Sequence, residues 1–490
     1  MDKINRRTFL KTATLGAAAL GLPTYSGVRV LGANDAIRVA VVGFGGRGED
    51  HIGGMRRLES QGVRIVALSD ADRKILDAGV DSFAKRNQRV KGYRDVRELL
   101  DDAEIDVVTF ATPNHWHALD TVWACQAGKD VYVEKPISHN VWEGRKAVEA
   151  ARKYERVVQA GTQCRSSYAI RDAVAWVRAG NLGKIEVSRG LCYKARRSIG
   201  KTDSPTPIPP EIDYDLWCGP APKVPLRRKR LHYDWHWVWD TGNGDLGNQG
   251  IHQMDIARWF LGEDELSPVV LSVGGRVGYE DDGETPNTQF VYHGYRNAPL
   301  IFEVRGLPRA EEFQTDKGWN GNMDKYMGAA IGVIVHCEGG HVLVPNYTSA
   351  IAYDKVGKEI KRWSGEDDHY ENFIKAVKSR KVEELNSDIL EGHLSSALCH
   401  TGNISFLLGA KSEPGAIRES IRGEKGALET FERMAEHLKA NGLDMAGASC
   451  LTLGPVLAMD PHKEVFKKND AANALLTRAY RKPFVVPERV

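Results

Sequence analysis

Short runs rich in Val and Ile alternate with longer stretches of helical periodicity through the first third of the chain. Residues 37–42, 63–68, 106–111, 131–133 and 157–160 are apolar at nearly every position. That is the pattern of strands covered on both faces rather than on one. Between them, residues 117–127 and 141–154 carry apolar groups three and four apart, and a further helix fits directly after Gly48. Strand and helix in turn predict a parallel, doubly wound sheet. Farther on the rhythm changes: runs at 269–273, 288–292, 300–304 and 333–337 are separated by glycine or asparagine turns, mostly without helices between them. They predict an antiparallel meander, with helical patterns returning at 368–377 and 390–408. The fold class is therefore α/β, an amino-terminal Rossmann doubly wound parallel sheet followed by an α+β domain with an open, mostly antiparallel sheet. The boundaries fall at 34–162 for the first domain and 163–410 for the second, with a carboxy-terminal extension over 411–490.

Length and composition fit two well-packed domains: 490 residues, 42% of them hydrophobic. The amino terminus stands apart. Asn5-Arg6-Arg7-Thr8-Phe9-Leu10-Lys11, followed by an uncharged Ala-rich run to Pro23, resembles the twin-arginine signal for export of folded proteins. Residues 1–33 are read as that segment, which places the protein in the periplasm or another extracytoplasmic space. The run is too short for a membrane span, so no stable membrane insertion is expected. The whole chain has a formal charge of +2, but the signal segment carries five basic residues against Asp2, and the remainder is near −2. This disfavours nucleic acid as a partner. Seven cysteines lie scattered, with no Cys-x-x-Cys pair or zinc-like spacing, and folding in a reducing compartment would leave them as thiols.

The first predicted strand runs into Gly43-Phe44-Gly45-Gly46-Arg47-Gly48. In that position Gly43 permits a tight turn, Gly45 lets the backbone approach a pyrophosphate and Gly48 lets helix and strand pack closely. Asp70 ends the second strand, 27 positions past Gly43, where a carboxylate can accept from an adenosine ribose and would repel a 2′-phosphate. NAD is thus favoured over NADP, although Arg73 stands nearby. Two polar groups mark the ends of later strands, Thr112-Pro113-Asn114 and Glu134-Lys135-Pro136, which adds Thr112, Asn114 and Glu134 to the cofactor candidates. An ammonium at Lys135, beside a nicotinamide, could hold a substrate hydroxyl and the alkoxide that develops from it. The stretch from His232 to Asp240 interleaves aromatic and polar residues, as a sugar pocket or a packed loop would; His232, His236 and Asp240 also have metal-compatible spacing, the less favoured reading. No metal is assigned. Tyr193, Lys194, Arg196 and Arg197 are candidates for the same cleft.

These motifs, together with Gly242-Asn243-Gly244-Asp245-Leu246-Gly247-Asn248-Gln249-Gly250-Ile251-His252-Gln253-Met254-Asp255, resemble the glucose-fructose oxidoreductase and inositol dehydrogenase family (Gfo/Idh/MocA) over roughly residues 36–410. The resemblance implies that Lys135 and His252 act on a sugar or polyol hydroxyl, and that the second domain often serves in homo-oligomers. Many members have aspartate where this chain has Asn248, which cannot titrate; His252 becomes the candidate base, with Asp245 or Asp255 to orient it. Asn248, Tyr193, Tyr233 and His236 are the substrate-binding candidates. The expected function is NAD-dependent oxidation of a sugar or glycoside hydroxyl, with the cofactor tightly held and recycled in place because little free NAD is available after export. One alternative resembles glycoside hydrolase family 109: oxidation at C3, elimination of the aglycone, hydration, and reduction. The other is a non-catalytic dinucleotide or sugar sensor, against which the presence of both Lys135 and His252 speaks.

Overall fold

The computed structural model describes residues 36–445 and 450–490, and the twin-arginine segment lies outside them. Six strands, β1 (Ile37–Val42), β2 (Val63–Ser69), β3 (Lys91–Tyr93), β4 (Val107–Phe110), β5 (Asp130–Val133) and β6 (Val158–Ala160), form a parallel sheet in the order β3-β2-β1-β4-β5-β6. The order reverses direction between β1 and β4, which opens a crevice at their carboxyl ends. Register decides what lines that crevice. Val42 pairs with Phe110 and Phe110 with Val133, so Gly43, Ala111 and Glu134 leave the sheet along one edge. Helices Gly48–Arg57, Arg73–Ala84, His117–Gln126 and Val141–Lys153 alternate with these strands.

The second sheet starts at β7 (Ile185–Tyr193), which the apolar pattern did not reveal, and continues through β8 (Val269–Gly275), β9 (Thr288–His293), β10 (Leu300–Arg305), β11 (Ile331–Cys337), β12 (Gly340–Asn346), β13 (Ser349–Asp354) and β14 (Glu359–Ser364). Residues beyond 410 add β15 (Ala410–Ser412), β16 (Leu451–Leu453), β17 (Leu457–Asp460) and β18 (Val465–Phe466). The pairing is antiparallel except where β7 lies parallel to β10. Along these strands alternate residues take opposite faces. Val270, Val291, Leu300 and Phe302 meet helices Gly250–Leu261 and Ile389–Leu407, whereas Leu271, Phe290 and Ile301 meet helices Pro414–Ile421 and Ala427–Ala440.

The extension is therefore built into the body of the protein. Its helices cover the outer face of β7–β10, and its last residues return to the nucleotide sheet, where Phe484, Val486 and Val490 are buried with Trp116 and Leu119. All seven cysteines are free thiols. Among the described residues, no helix is long and apolar enough to cross a membrane.

Candidate active site

A cleft of ≈450 Å³ runs from the glycine turn to the edge of the second sheet. At its nucleotide end the backbone leaves no room for a side chain at two positions, Gly43 and Gly48. Gly43 has φ +74°, and a Cβ there would stand 2.9 Å from the Thr112 nitrogen; a Cβ at Gly48 would stand 2.4 Å from the Gly43 oxygen. A Cβ at Gly45 would meet only the flexible Ile75 side chain, at 2.7 Å. Helix Gly48–Arg57 begins in this turn, with the Glu49 and Asp50 N–H groups closing onto the Gly46 and Arg47 carbonyls, so it is the turn residues Gly45, Gly46 and Arg47, just before the helix, that line the cleft. Asp70 accepts from the Phe44 nitrogen (3.2 Å) and the Asp72 nitrogen (3.0 Å). Burial pushes its carboxyl up to about 6, against the pull of these two bonds. Such a cradle fits a dinucleotide: the turn for the pyrophosphate, Asp70 for a ribose diol.

Thr112 and Asn114 both line the cleft but are also anchored inward. Thr112 Oγ1 donates to Asp120 Oδ2 (2.8 Å), and Asn114 Nδ2 donates to Asn243 Oδ1 (3.0 Å), a direct bond between the two domains. Among the described residues Asp120 has no other side-chain partner and its second oxygen is buried unbonded, so burial drives its carboxyl well above the usual range. Glu134, by contrast, is a hub. It accepts from Arg47 Nε (2.8 Å), His51 Nε2 (3.3 Å), Gln163 Nε2 (3.0 Å) and the Lys135 nitrogen (3.2 Å). Burial alone would raise it, but His51, Arg47 and Lys135 hold it well below the ordinary carboxylate range. Arg47, His51 and Gln163 were missed in the sequence; Arg47, inside the glycine turn itself, was the one with a visible signal.

At the reacting end, Lys135 sits just past β5, its peptide bond to Pro136 cis. Its Nζ donates to the Asn248 carbonyl (3.0 Å), and burial, ahead of the nearby Arg47 and Lys194 charges, lowers its pKa. Asn248 contributes both that carbonyl and a side chain lining the cleft, at the end of a short helix, Gly244–Asn248. His252 follows on helix Gly250–Leu261 but is buried behind the cleft rather than lining it, with Nδ1 sealed and unbonded and its ring 5.1 Å from that of Tyr347. Burial and the charge of Lys135 hold it well below its ordinary value, so the imidazole is neutral. Neither expected orienting acid touches it. Asp245 is paired with Arg196 through two bonds (2.9 and 2.6 Å), and Asp255 with Arg165 (2.9 and 2.8 Å) and Ser395 (2.7 Å).

Tyr233 and His236 line the cleft, and Tyr193 does not. Strand parity explains this: Tyr193 lies on the opposite face of β7 from its neighbours, among Ala329, Ile334 and Leu343, donating to Glu303 (2.7 Å), while Lys194 reaches the cleft. His236 Nδ1–H donates to the Tyr233 carbonyl (2.5 Å), its ring stacks on Trp235, and burial lowers it to about 3. His232 turns elsewhere, to Asp72 (3.0 Å), so the three residues of metal-compatible spacing do not converge. That bond belongs to a strap over the nucleotide end, where Arg73 also donates from its backbone to Glu211 (3.0 Å) and Asp213 to Ala71 (3.0 Å).

Comparison with known proteins agrees with this arrangement. Residues 37–162 match the model of an oxidoreductase family, NAD-binding Rossmann fold, and residues 170–296 that of the same family's C-terminal alpha/beta domain. A glycosyl hydrolase family 109 protein of Shewanella baltica is 33% identical over 181 residues, and an alpha-N-acetylgalactosaminidase of Shewanella oneidensis is 30% identical over the same length. In both cases the match spans 32% of this chain and 39% of the relative. Among solved structures, the WlbA dehydrogenase of Bordetella pertussis, in complex with NADH and UDP-GlcNAcA, has a TM-score of 0.53 at 19% identity, covering 74% of this chain and 94% of that one. Levoglucosan dehydrogenase, in complex with NADH and levoglucosan, has a TM-score of 0.55 at 17% identity, covering 74% and 95%. At such identities the likeness is one of fold.

Proposed function

Since the chain belongs to the Gfo/Idh/MocA oxidoreductase family, we propose that it is an exported, NAD-dependent oxidoreductase acting on a hydroxyl of a sugar or glycoside. One observation carries the reading: a single cleft joins the glycine turn to the Lys135 ammonium, whose hydrogen-bond partner is the neutral Asn248 carbonyl. Bound NAD supplies the hydride acceptor. Lys135 holds the substrate hydroxyl and steadies the negative charge that develops on its oxygen. In this reading the neutral His252, behind Lys135, receives the proton at Nε2, since its Nδ1 is sealed in the interior. Asn248 fixes Lys135 through its carbonyl and offers an amide to a neighbouring hydroxyl. Arg47 and His51 keep Glu134 ionised, and that charge in turn favours the ammonium form of Lys135.

Export of the folded protein, read from the twin-arginine pattern, explains a retained cofactor recycled in place. The strap from Glu211 to His232 supports retention, since it bonds to residues 71–73 across the nucleotide end. The reading is tested on protein purified without added cofactor, by extracting it for NAD and NADP and by following absorbance near 340 nm as glycosides are added. Stoichiometric NAD that becomes reduced is the expected result; a protein free of dinucleotide would sink the retained-cofactor reading.

His236 favours a second reading, redox-type glycosidase activity of the family 109 kind named for the Shewanella relatives. With Nδ1–H committed to the Tyr233 carbonyl, its Nε2 lone pair is left for the cleft, where it can take a proton from the carbon beside the oxidised one. An aglycone released in the same assay would select this reading.

A further inference from the structure

The reacting end holds more positive charge than the chemistry above requires. Lys194 follows β7 and lines the same cleft as Lys135, from the other domain. Its Nζ donates to Gln249 Oε1 (2.7 Å), as Lys135 donates to the carbonyl of the preceding residue. Neither ammonium forms an ion pair among the described residues, whereas Arg47 and Arg196 beside them do. The acids within reach are already committed: Asp245 to Arg196 in a two-bonded pair, Glu134 to Arg47 and His51. The charge of Lys194 is felt at both Lys135 and His252, which it disfavours in their protonated forms. With Glu134 and Asp245 each shared with an arginine, the two ammoniums leave an excess of positive charge facing one cavity, which is costly unless something anionic arrives to meet it. A dinucleotide does not meet this need at Lys194, because its phosphates belong at the glycine turn, on the far side of Lys135. Nor does Gln249 need a cation: its amide is already held by the Tyr347 hydroxyl (2.5 Å), and a neutral donor would serve its oxygen equally well.

We infer that Lys194 recognises an anionic substituent on the sugar, a carboxylate or a phosphate, so that the substrate class is acidic sugars rather than neutral ones. The inference rests on the sugar-oxidoreductase reading and names its substrate class. A point charge on a flexible stem suits either anion, whereas Arg196, the better two-pronged donor, is already engaged by Asp245.

The test uses the full-length protein with its cofactor and matched pairs of probes: methyl glucoside against methyl glucuronide, methyl galactoside against methyl galacturonide, and glucose against glucose 6-phosphate. Binding is read by calorimetry and turnover by absorbance near 340 nm. The expected result is at least about tenfold tighter binding of one charged partner over its neutral twin, weakening with salt. Which pair shows it separates carboxylate from phosphate. Lys194→Met should collapse that ratio toward one and Lys194→Arg should restore most of it. Charged and neutral partners bound alike by the wild type overturn the inference, as does a ratio unchanged in Lys194→Met. A Lys194→Met variant that shifts only the alkaline limb of the pH–rate profile also overturns it, by showing that Lys194 acts through Lys135. Neutral sugars that reduce the cofactor as well as acidic ones leave the oxidoreductase reading standing. Acidic sugars that bind without any reduction remove that reading and leave the charge recognition.

Discussion

The two ends of the cleft are made by different means. The nucleotide end comes from three short segments of one sheet, around residues 43–48, 69–72 and 111–114, all placed by the register of parallel strands. What it offers is mostly backbone: Gly45 and Gly46 are exposed to the cleft, on a turn whose tightness depends on the missing Cβ atoms at Gly43 and Gly48. The reacting end gathers Lys135, Lys194, Tyr233, His236, Asn248 and Gln249 from well-separated stretches on both domains. What it offers is charge, tuned by burial. The contrast extends to two buried carboxylates along the same cleft. Asp120, with Thr112 as its one side-chain partner among the described residues, is driven well above the usual carboxylate range, whereas Glu134, with an arginine and a histidine against it, is held well below it. Burial is alike in both; partners decide.

If the ends are separable, each can be broken alone. The largest effect is expected from Lys135→Met, which removes the ammonium and keeps most of its bulk. Turnover should fall by about a thousandfold or more, while the NAD extracted per protein stays near the wild-type amount. A sensor would lose no measurable function with Lys135 gone, and loss of cofactor in this variant would show that the ends are one unit. Gly48→Ala is the converse. Its methyl would meet the Gly43 oxygen at 2.4 Å, a backbone atom that cannot step aside as a side chain could. Extracted dinucleotide should drop at least about tenfold, with destabilisation of roughly 1–3 kcal/mol. Full occupancy in a folded Gly48→Ala protein would mean that the turn is not the pyrophosphate cradle.

The same contrast explains what could be read in advance. Missing side chains leave a mark in the sequence, and so does a buried strand; the turn at Gly43 and five of the six strands around it were legible for that reason. β3 was not, because Lys91-Gly92-Tyr93 is short and polar at the sheet's edge. The meander was visible where strands are apolar, as in β8–β11, and hidden in β14, whose alternating Glu, Lys and Arg leave it exposed. At the reacting end, Lys135 and His252 stood out through their motifs, but Tyr193 was chosen over Lys194 because a single residue's parity on a strand sets which face it takes. Asp245 and Asp255 looked free to orient His252, since nothing in the sequence pairs them with Arg196 and Arg165, which come from distant segments.

The smallest effect tests whether the nucleotide end carries tuned charge after all. Asp70, unlike its glycine neighbours, is a side chain held by burial at about 6, above the ordinary aspartate value. Between that ordinary value and about pH 6 the folded, cofactor-free protein binds more protons than the unfolded chain. Its stability must therefore fall as pH rises through this window, with the penalty complete above about pH 6. Asp70→Asn removes the titrating group but keeps only one of the two oxygens, so the N–H bond from Phe44 or from Asp72 is lost; that loss offsets the variant's stability by the same amount at every pH and leaves the slope as the readout. Between pH 4.5 and 7.5, the unfolding free energy of the cofactor-free wild type, read from denaturant titrations, should decline relative to that of Asp70→Asn by an amount on the order of 1–2 kcal/mol. Parallel curves would mean that the two backbone N–H bonds outweigh burial and keep Asp70 ionised throughout. The cradle would then be poised for a ribose diol as an anion at every working pH, and the nucleotide end would resemble the reacting end more closely than its glycines suggest.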